Sequence, residues 1–150
     1  MPQSFCKLYA HLIFSTRNRR PLLRADTRQR VHAYLATLVR NLDSPYVTVG
    51  GVEDHVHILF DLGKTRPPVK FVEHVKRESS RFIKKLDKKM RDFYWQRGYA
   101  MFSVSPAHLG KAERYVCNQS EHHRKRTFRE EVRAFLQRYG VDYDERYLWH

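Results

Sequence analysis

The chain is poor in cysteine, in long apolar runs and in negative charge, and each shortage removes a class of protein. Its two cysteines, Cys6 and Cys117, stand far apart without C-x-x-C spacing. That argues against a disulfide framework or a zinc knuckle and fits a reducing cytosol, with both side chains expected as small buried hydrophobes. No stretch approaches the ~18 continuous apolar residues that a membrane span needs. The first residues, Met1 to Leu8, lack the charged-then-apolar pattern of an export signal, so a cytoplasmic location off the membrane is expected. Internal repeats, low-complexity tracts and a P-loop pattern are missing too.

What is present is a core and a large positive charge. Hydrophobic residues make up 41% and aromatics 13% of 150 residues, enough for one domain spanning 1–150. Lys and Arg total 29 against 16 Asp and Glu, a formal net charge of +13. So basic a domain usually meets a polyanion, most often nucleic acid.

Hydrophobic period places the elements. Lys7 to Phe14 reads as a strand, closed by the basic turn Arg17-Asn-Arg-Arg-Pro21. Asp26 is the expected cap of a first helix carrying Val31, Tyr34, Leu35, Leu38, Val39 and Leu42, broken at Asp43-Ser-Pro45. Tyr46–Val52 and His55–Phe60 form a hairpin across Glu53-Asp54, with 63–68 as linker. A second helix over about 69–90 puts Phe71, Val72, Val75, Phe82, Ile83 and Leu86 on one arc. Lys70, Arg77, Arg81, Lys84 and Lys88 lie on the other. A strand over 99–104, a third helix over about 107–123 and a fourth after Thr127 complete the chain. The last has a Thr127/Glu130 capping box, Val132, Phe135, Leu136 and Tyr139 inward, and Gly140 as its stop. One antiparallel hairpin among helices predicts an α+β fold: an antiparallel sheet with helices packed on one face.

Two groups of residues carry possible chemistry. His55 and His57 are two apart in a strand and share a face, while Val56, Ile58 and Phe60 point to the core. The imidazoles are expected on the open face of the sheet, available to a divalent ion. With nine histidines in the chain, an H-x-H alone says little. On the third helix Lys111, Tyr115, Asn118, Gln119 and His122 fall on one face. Tyr115 offers a nucleophile and Gln119 an amide oxygen. An ordinary phenol, with pKa ~10, needs a cation or base beside it to react at neutral pH. Arg17, Arg19 and Arg20, the stripe with Arg77, Arg81 and Lys84, Lys111 and the run His122–Arg126 are candidate phosphate contacts. For the stripe, a plain solvated face is an equally good reading.

Four blocks then show a family likeness: Tyr9-Ala-His-Leu-Ile-Phe-Ser-Thr-Arg-Asn-Arg-Arg-Pro21, Asp54-His-Val-His-Ile-Leu59, Tyr99-Ala-Met-Phe-Ser-Val-Ser105 and Tyr115-Val-Cys-Asn-Gln119. In order and separation the chain resembles the single-tyrosine HUH transposases of the insertion-sequence 200/605 type, including their repeat-associated relatives. The tail from Glu121 through Tyr143 to Trp149 is similar to that of the shorter, repeat-associated members. Glu53 departs from the proline many relatives carry before Asp-His-Val-His. The resemblance implies a ferredoxin/RRM-like HUH endonuclease fold, with His55 and His57 as the metal pair, Gln119 as third ligand and Tyr115 as nucleophile. It implies Mg²⁺ or Mn²⁺ as cofactor, hairpin-bearing single-stranded DNA as partner and a 5′-phosphotyrosine intermediate. It also implies a homodimer in which the histidines of one subunit can meet the tyrosine helix of the other, the segment from about 127 being available to the dimer.

Three rival readings remain at this point. A non-catalytic nucleic-acid-binding regulator on an RRM-like sheet explains the charge but not the recurring offsets of His, Tyr and Gln. A domesticated repeat-associated nuclease keeps the same chemistry. A zinc hydrolase lacks its cysteine pattern and its general-base glutamate.

Overall fold

Strand alternation organises the molecule into a sheet with two very different sides. The computed structural model describes residues 2–146 and 148. Its strands β1 (Tyr9–Ser15), β2 (Val47–Gly51), β3 (His55–Asp61) and β4 (Ala100–Ser103) form one antiparallel sheet in the order β2-β3-β1-β4. Register pairs Leu12 with Ile58, Ile13 with His57 and Gly50 with His57. The α+β class expected from the hairpin is the one observed.

Leu12, Phe14, Val56, Ile58 and Phe60 point to one side and build the main core with α1 (Ala25–Asn41) and α2 (Pro68–Leu86). Val31, Leu35 and Val39 come from α1, Phe71, Val72, Val75 and Ile83 from α2, at the helical spacing read from the sequence. Each such large side chain, fully buried, contributes roughly 1.5–3 kcal/mol through removal of apolar area from water. Arg24, not Asp26, occupies the N-cap position of α1, and Asp26 falls in its first turn, where it still faces the positive helix end. After Leu86 the chain leaves the helix at Asp87, so 88–90 is a separate tight turn rather than a continuation of α2.

Beyond α1 and α2, helices also lie on the second side of the sheet, which the sequence reading left open. There α3 (Leu109–Cys117) packs on β2 and β3. It comes so close that a Cβ on Gly50 would lie 1.9 Å from the carbonyl oxygen of Val116. α4 (Gln119–His122) follows after a break at Asn118, so the expected single helix over 107–123 is two. α5 (Phe128–Arg138) opens on the expected capping box of Thr127 and Glu130, a motif worth about 1 kcal/mol. Its Phe128, Val132 and Leu136 cover Ile13 and Phe102 of β1 and β4. Tyr139 is more exposed than expected: its ring stacks on Phe102 and its hydroxyl donates to the Ser103 carbonyl at 2.8 Å. Both cysteines are exposed and free, against the expectation of burial. No described helix is long and apolar enough to cross a membrane. The tail residues Tyr147 and Trp149 invoked in the sequence comparison lie outside the described residues.

Candidate functional site

β3 delivers His55 and His57 to the second side of the sheet, as strand period requires. Because α3 and α5 roof that side, both imidazoles are fully buried rather than open to solvent. Between them and the roof stands Glu131, also with no exposed surface, projecting from α5. Its Oε1 lies 3.1 Å from His57 Nε2, 3.3 Å from His123 Nε2 and 3.5 Å from His55 Nε2. Its Oε2 accepts the Tyr115 hydroxyl. One carboxylate thus joins three imidazoles to one phenol.

The rest of the shell orients these groups. Asp54 accepts from or shares a proton with His55 Nδ1 at 2.7 Å, and His11 of β1 meets His57 Nδ1 at 2.7 Å. Fixing the far nitrogen of each ring leaves Nε2 directed at the centre. Gln119 is buried beside them: its amide donates to the Tyr115 carbonyl at 3.0 Å and its oxygen meets His123 Nε2 at 3.0 Å. The Tyr115 ring lies 5.8 Å from that of His57 in the same chain and stacks on His122 at 4.4 Å.

Electrostatics follow from burial and from the shared carboxylate. Burial lowers His57 to about 4, against the opposing pull of Glu131, and lowers His11 to about 3. Burial opposes charge on His55 as well, but Asp54 and Glu131 outweigh it and raise that ring to about 8. Burial, and then the Glu131 carboxylate, push the Tyr115 phenol well above its ordinary value. Burial works against ionisation of Glu131 also, yet hydrogen bonds from His123, His55 and His57 hold it well below the usual carboxylate range.

His55, His57, His123 and Glu131 each place a ligand atom within 4.8 Å of the others. The donor set fits a divalent ion: three imidazole nitrogens and a carboxylate suit the middle of the first transition row. His55 Nε2 in particular is buried without a well-directed hydrogen bond, a cost that a coordinated ion would remove.

Of the residues singled out from sequence, His55, His57, Tyr115 and Gln119 converge here. The structure adds Glu131 and, from the basic run His122–Arg126, His123. Their signal was available in part, since Glu131 interrupts the apolar arc of Phe128, Val132, Phe135 and Leu136, where a lone carboxylate needs a buried partner. His123 was lost inside a basic run. From that same run, His122, Lys125 and Arg126 line, with Tyr115 and Glu121, a cavity of about 390 Å³ at the outer side of the phenol. Lys111 sits exposed one turn before Tyr115. Arg77 and Arg81 lie on α2, beneath the opposite side of the sheet, in ion pairs with Glu73 and Glu78. Lys84 instead rests 4.2 Å over the Tyr94 ring. Arg17, Arg19 and Arg20 occupy the turn after β1.

Residues 4–119 match the family model described as "Transposase IS200 like". No curated protein matches the chain. Among solved structures, a protein of Deinococcus radiodurans R1 described as a transposase candidate superposes with a TM-score of 0.62 at 21% identity, over 79% of this chain and 98% of that one. A repeat-associated (REP) tyrosine transposase bound to a REP hairpin gives 0.52 at 13% identity, over 77% and 67%. At such identities the superpositions speak for the fold alone, while the family match extends over most of the sequence, and on that ground the chain belongs to the IS200-like transposase family.

Proposed function

We propose that this transposase cleaves and rejoins single-stranded DNA through a covalent bond to Tyr115. The carrying observation is the shared Glu131 carboxylate, which sets the phenol and the His55/His57 pair on either side of one acid group. In the reaction Tyr115 Oη attacks the scissile phosphorus as the P–O3′ bond breaks, and the phenolic proton leaves along its hydrogen bond to Glu131 and is passed on to the departing O3′, so that Glu131 ends ionised as it began. The products are a 5′-phosphotyrosine and a free 3′-OH, which carries a proton away. Because the ester keeps the bond energy, a second 3′-OH can reverse the step without ATP.

His55, His57, His123 and Glu131 would hold the metal, with Gln119 in reserve behind His123. A bound divalent ion supplies Lewis-acid polarisation of the phosphate and lowers the cost of ionising a nearby phenol. Mg²⁺ prefers an all-oxygen shell, so this imidazole-rich set favours a first-row transition ion over Mg²⁺, and of the two expected cofactors Mn²⁺. Lys125 and Arg126, on the open side of Tyr115, would meet the incoming phosphodiester. By analogy with the hairpin-bound relative, the substrate strand is taken to carry a hairpin. Tyr115 lies beside His57 of its own chain, so a site can be completed within one subunit.

The test is incubation with single-stranded DNA from the gene's own flanks and Mn²⁺, followed by denaturing electrophoresis. A protein–DNA adduct is expected from wild type, none from Tyr115→Phe and none after chelation. If the wild-type protein forms no adduct, or Tyr115→Phe forms as much, the reading fails. Adduct recovered by mixing Tyr115→Phe with His57→Ala chains would show that sites are shared instead.

A further inference from the structure

A second cluster, outside the His/Glu/Tyr site, has the composition of a nucleotide pocket. Arg17, Asn18, Arg20, Leu22, Asp92 and Tyr94 line a cavity of about 250 Å³. Tyr94 is 52% exposed, so its ring face is open to solvent. It is flanked by Lys84 Nζ at 4.2 Å and the Arg17 guanidinium at 6.0 Å from the ring centre. Among the described residues neither cation has an anionic partner.

The backbone around the ring is held in a costly shape. Asn18 and Arg19, neither of them glycine, have φ of 59° and 53°. Such residues persist only where the surroundings dictate them, and they gather at ligand clamps. Here the Thr16 hydroxyl donates to the Arg20 carbonyl at 2.7 Å, and Arg17 N–H donates to the Tyr94 carbonyl at 2.8 Å. On the other side the next residue, Trp95, is buried in the core, and Lys76 donates to the carbonyls of Gln96 and Gly98. Tyr94 therefore presents its ring from a rigid base.

We propose that this pocket binds one unpaired nucleotide of the DNA strand, its base stacked on Tyr94. The inference rests on the reading that the protein acts on single-stranded DNA. An aromatic face accepts any base, and cations beside it take the flanking phosphates. Asp92 decides against a bare phosphate as occupant, since a carboxylate in the pocket repels it. A base edge bearing N–H donors satisfies that carboxylate instead. The contact from Arg17 is at the outer limit of cation–π range, so a stacking base replaces it and leaves Arg17 to the phosphate. The pocket also stands at the metal-site end of the sheet: Thr16 N–H donates to the Asp54 carbonyl at 2.8 Å, and Asp54 holds His55.

Fluorescence anisotropy with a labelled single-stranded oligonucleotide from the gene's flanks, in parallel with adduct formation, tests this. Tyr94→Ala should weaken binding at least about fivefold and raise KM with kcat retained, while Tyr94→Phe keeps wild-type affinity. Asp92→Asn should alter which base is preferred at one position. Wild-type adduct formation together with unchanged affinity in Tyr94→Ala overturns the pocket. So does an equal loss for blunt duplex DNA, or dependence on Tyr94 for RNA alone. A wild-type protein that forms no adduct but binds single strands in a Tyr94-dependent way supports the pocket while removing the cleavage reading.

Discussion

The two sides of the sheet are built from the same strands by opposite rules. Toward α1 and α2, β1 and β3 send Leu12, Phe14, Val56, Ile58 and Phe60 into a core held by shape and apolar area. Toward α3 and α5 the alternating positions send His11, His55 and His57, closed over by Glu131 and Gln119. Burying polar groups costs several kcal/mol unless each finds a partner. The polar side answers with a continuous network in which Glu131 alone serves three imidazoles and Tyr115. The apolar side is therefore tolerant of exchange among residues of similar volume, and the polar side is not.

Removing Glu131 should break that contrast hardest. Glu131→Ala leaves three imidazoles and a phenol without their common acceptor, and takes away the sole carboxylate of the candidate ligand set. Adduct formation is expected to fall by at least about 10³-fold, and Mn²⁺ affinity by about 10- to 100-fold. Titration with Mn²⁺ followed by its electron paramagnetic resonance signal, beside the electrophoretic assay, reads both. Unchanged metal affinity would show that Glu131 is structural and that the ion, if any, sits elsewhere.

The apolar side was easier to read from sequence than the polar one, for a physical reason. Core helices declare themselves by period: Val31, Leu35 and Val39, or Phe71, Val72 and Val75, repeat along a single segment. The capping box at Thr127 and the stop at Gly140 are equally local. His55 and His57 were found because strand period brings them together, and Tyr115 with Gln119 because they are one helical turn apart. What brings Glu131 and His123 to the same point is tertiary: the turn after α4 and the docking of α5 on β1 and β4. No spacing rule encodes that. For the same reason the sequence leaves the second side uncovered, since α3 and α5 look like ordinary amphipathic helices until their apolar faces are seen against Ile13, Gly50 and Phe102.

How finely the polar side is set can be sharpened at a residue that touches none of its chemistry. Gly50 lies under Val116, the neighbour of Tyr115, with no space for a Cβ. Gly50→Ala must lift α3 from β2, because the obstruction is backbone rather than a movable side chain. A displacement near 1 Å at the nucleophile can cost about 10²-fold in rate. Adduct formation should fall by that order while Mn²⁺ binding, three of whose four ligands (His55, His57 and Glu131) come from β3 and α5, is largely kept. Equal loss of both would mean that the variant disturbs the whole sheet instead of the tyrosine helix.

The smallest expected effect concerns an imidazole on the other side. His32 of α1 has a buried Nε2 without a hydrogen-bond partner, and burial, then Arg28, lowers its pKa to about 4. A folded value below the unfolded one means that protonation favours the unfolded chain. Its contribution is complete above about pH 6.5 and drains away as the pH falls toward 4. After allowance for screening this amounts to at most about 2 kcal/mol. His32→Leu removes the titration and fills the site with apolar volume, so the difference in unfolding free energy between variant and wild type should grow on acidification from pH 7 to pH 4.5. His11 and His57 titrate in both proteins and cancel in that difference. A pH-independent difference would mean that the His32 ring finds water or a partner when protonated. The two sides of the sheet would then differ in the number of their polar groups, and no longer in how those groups are satisfied.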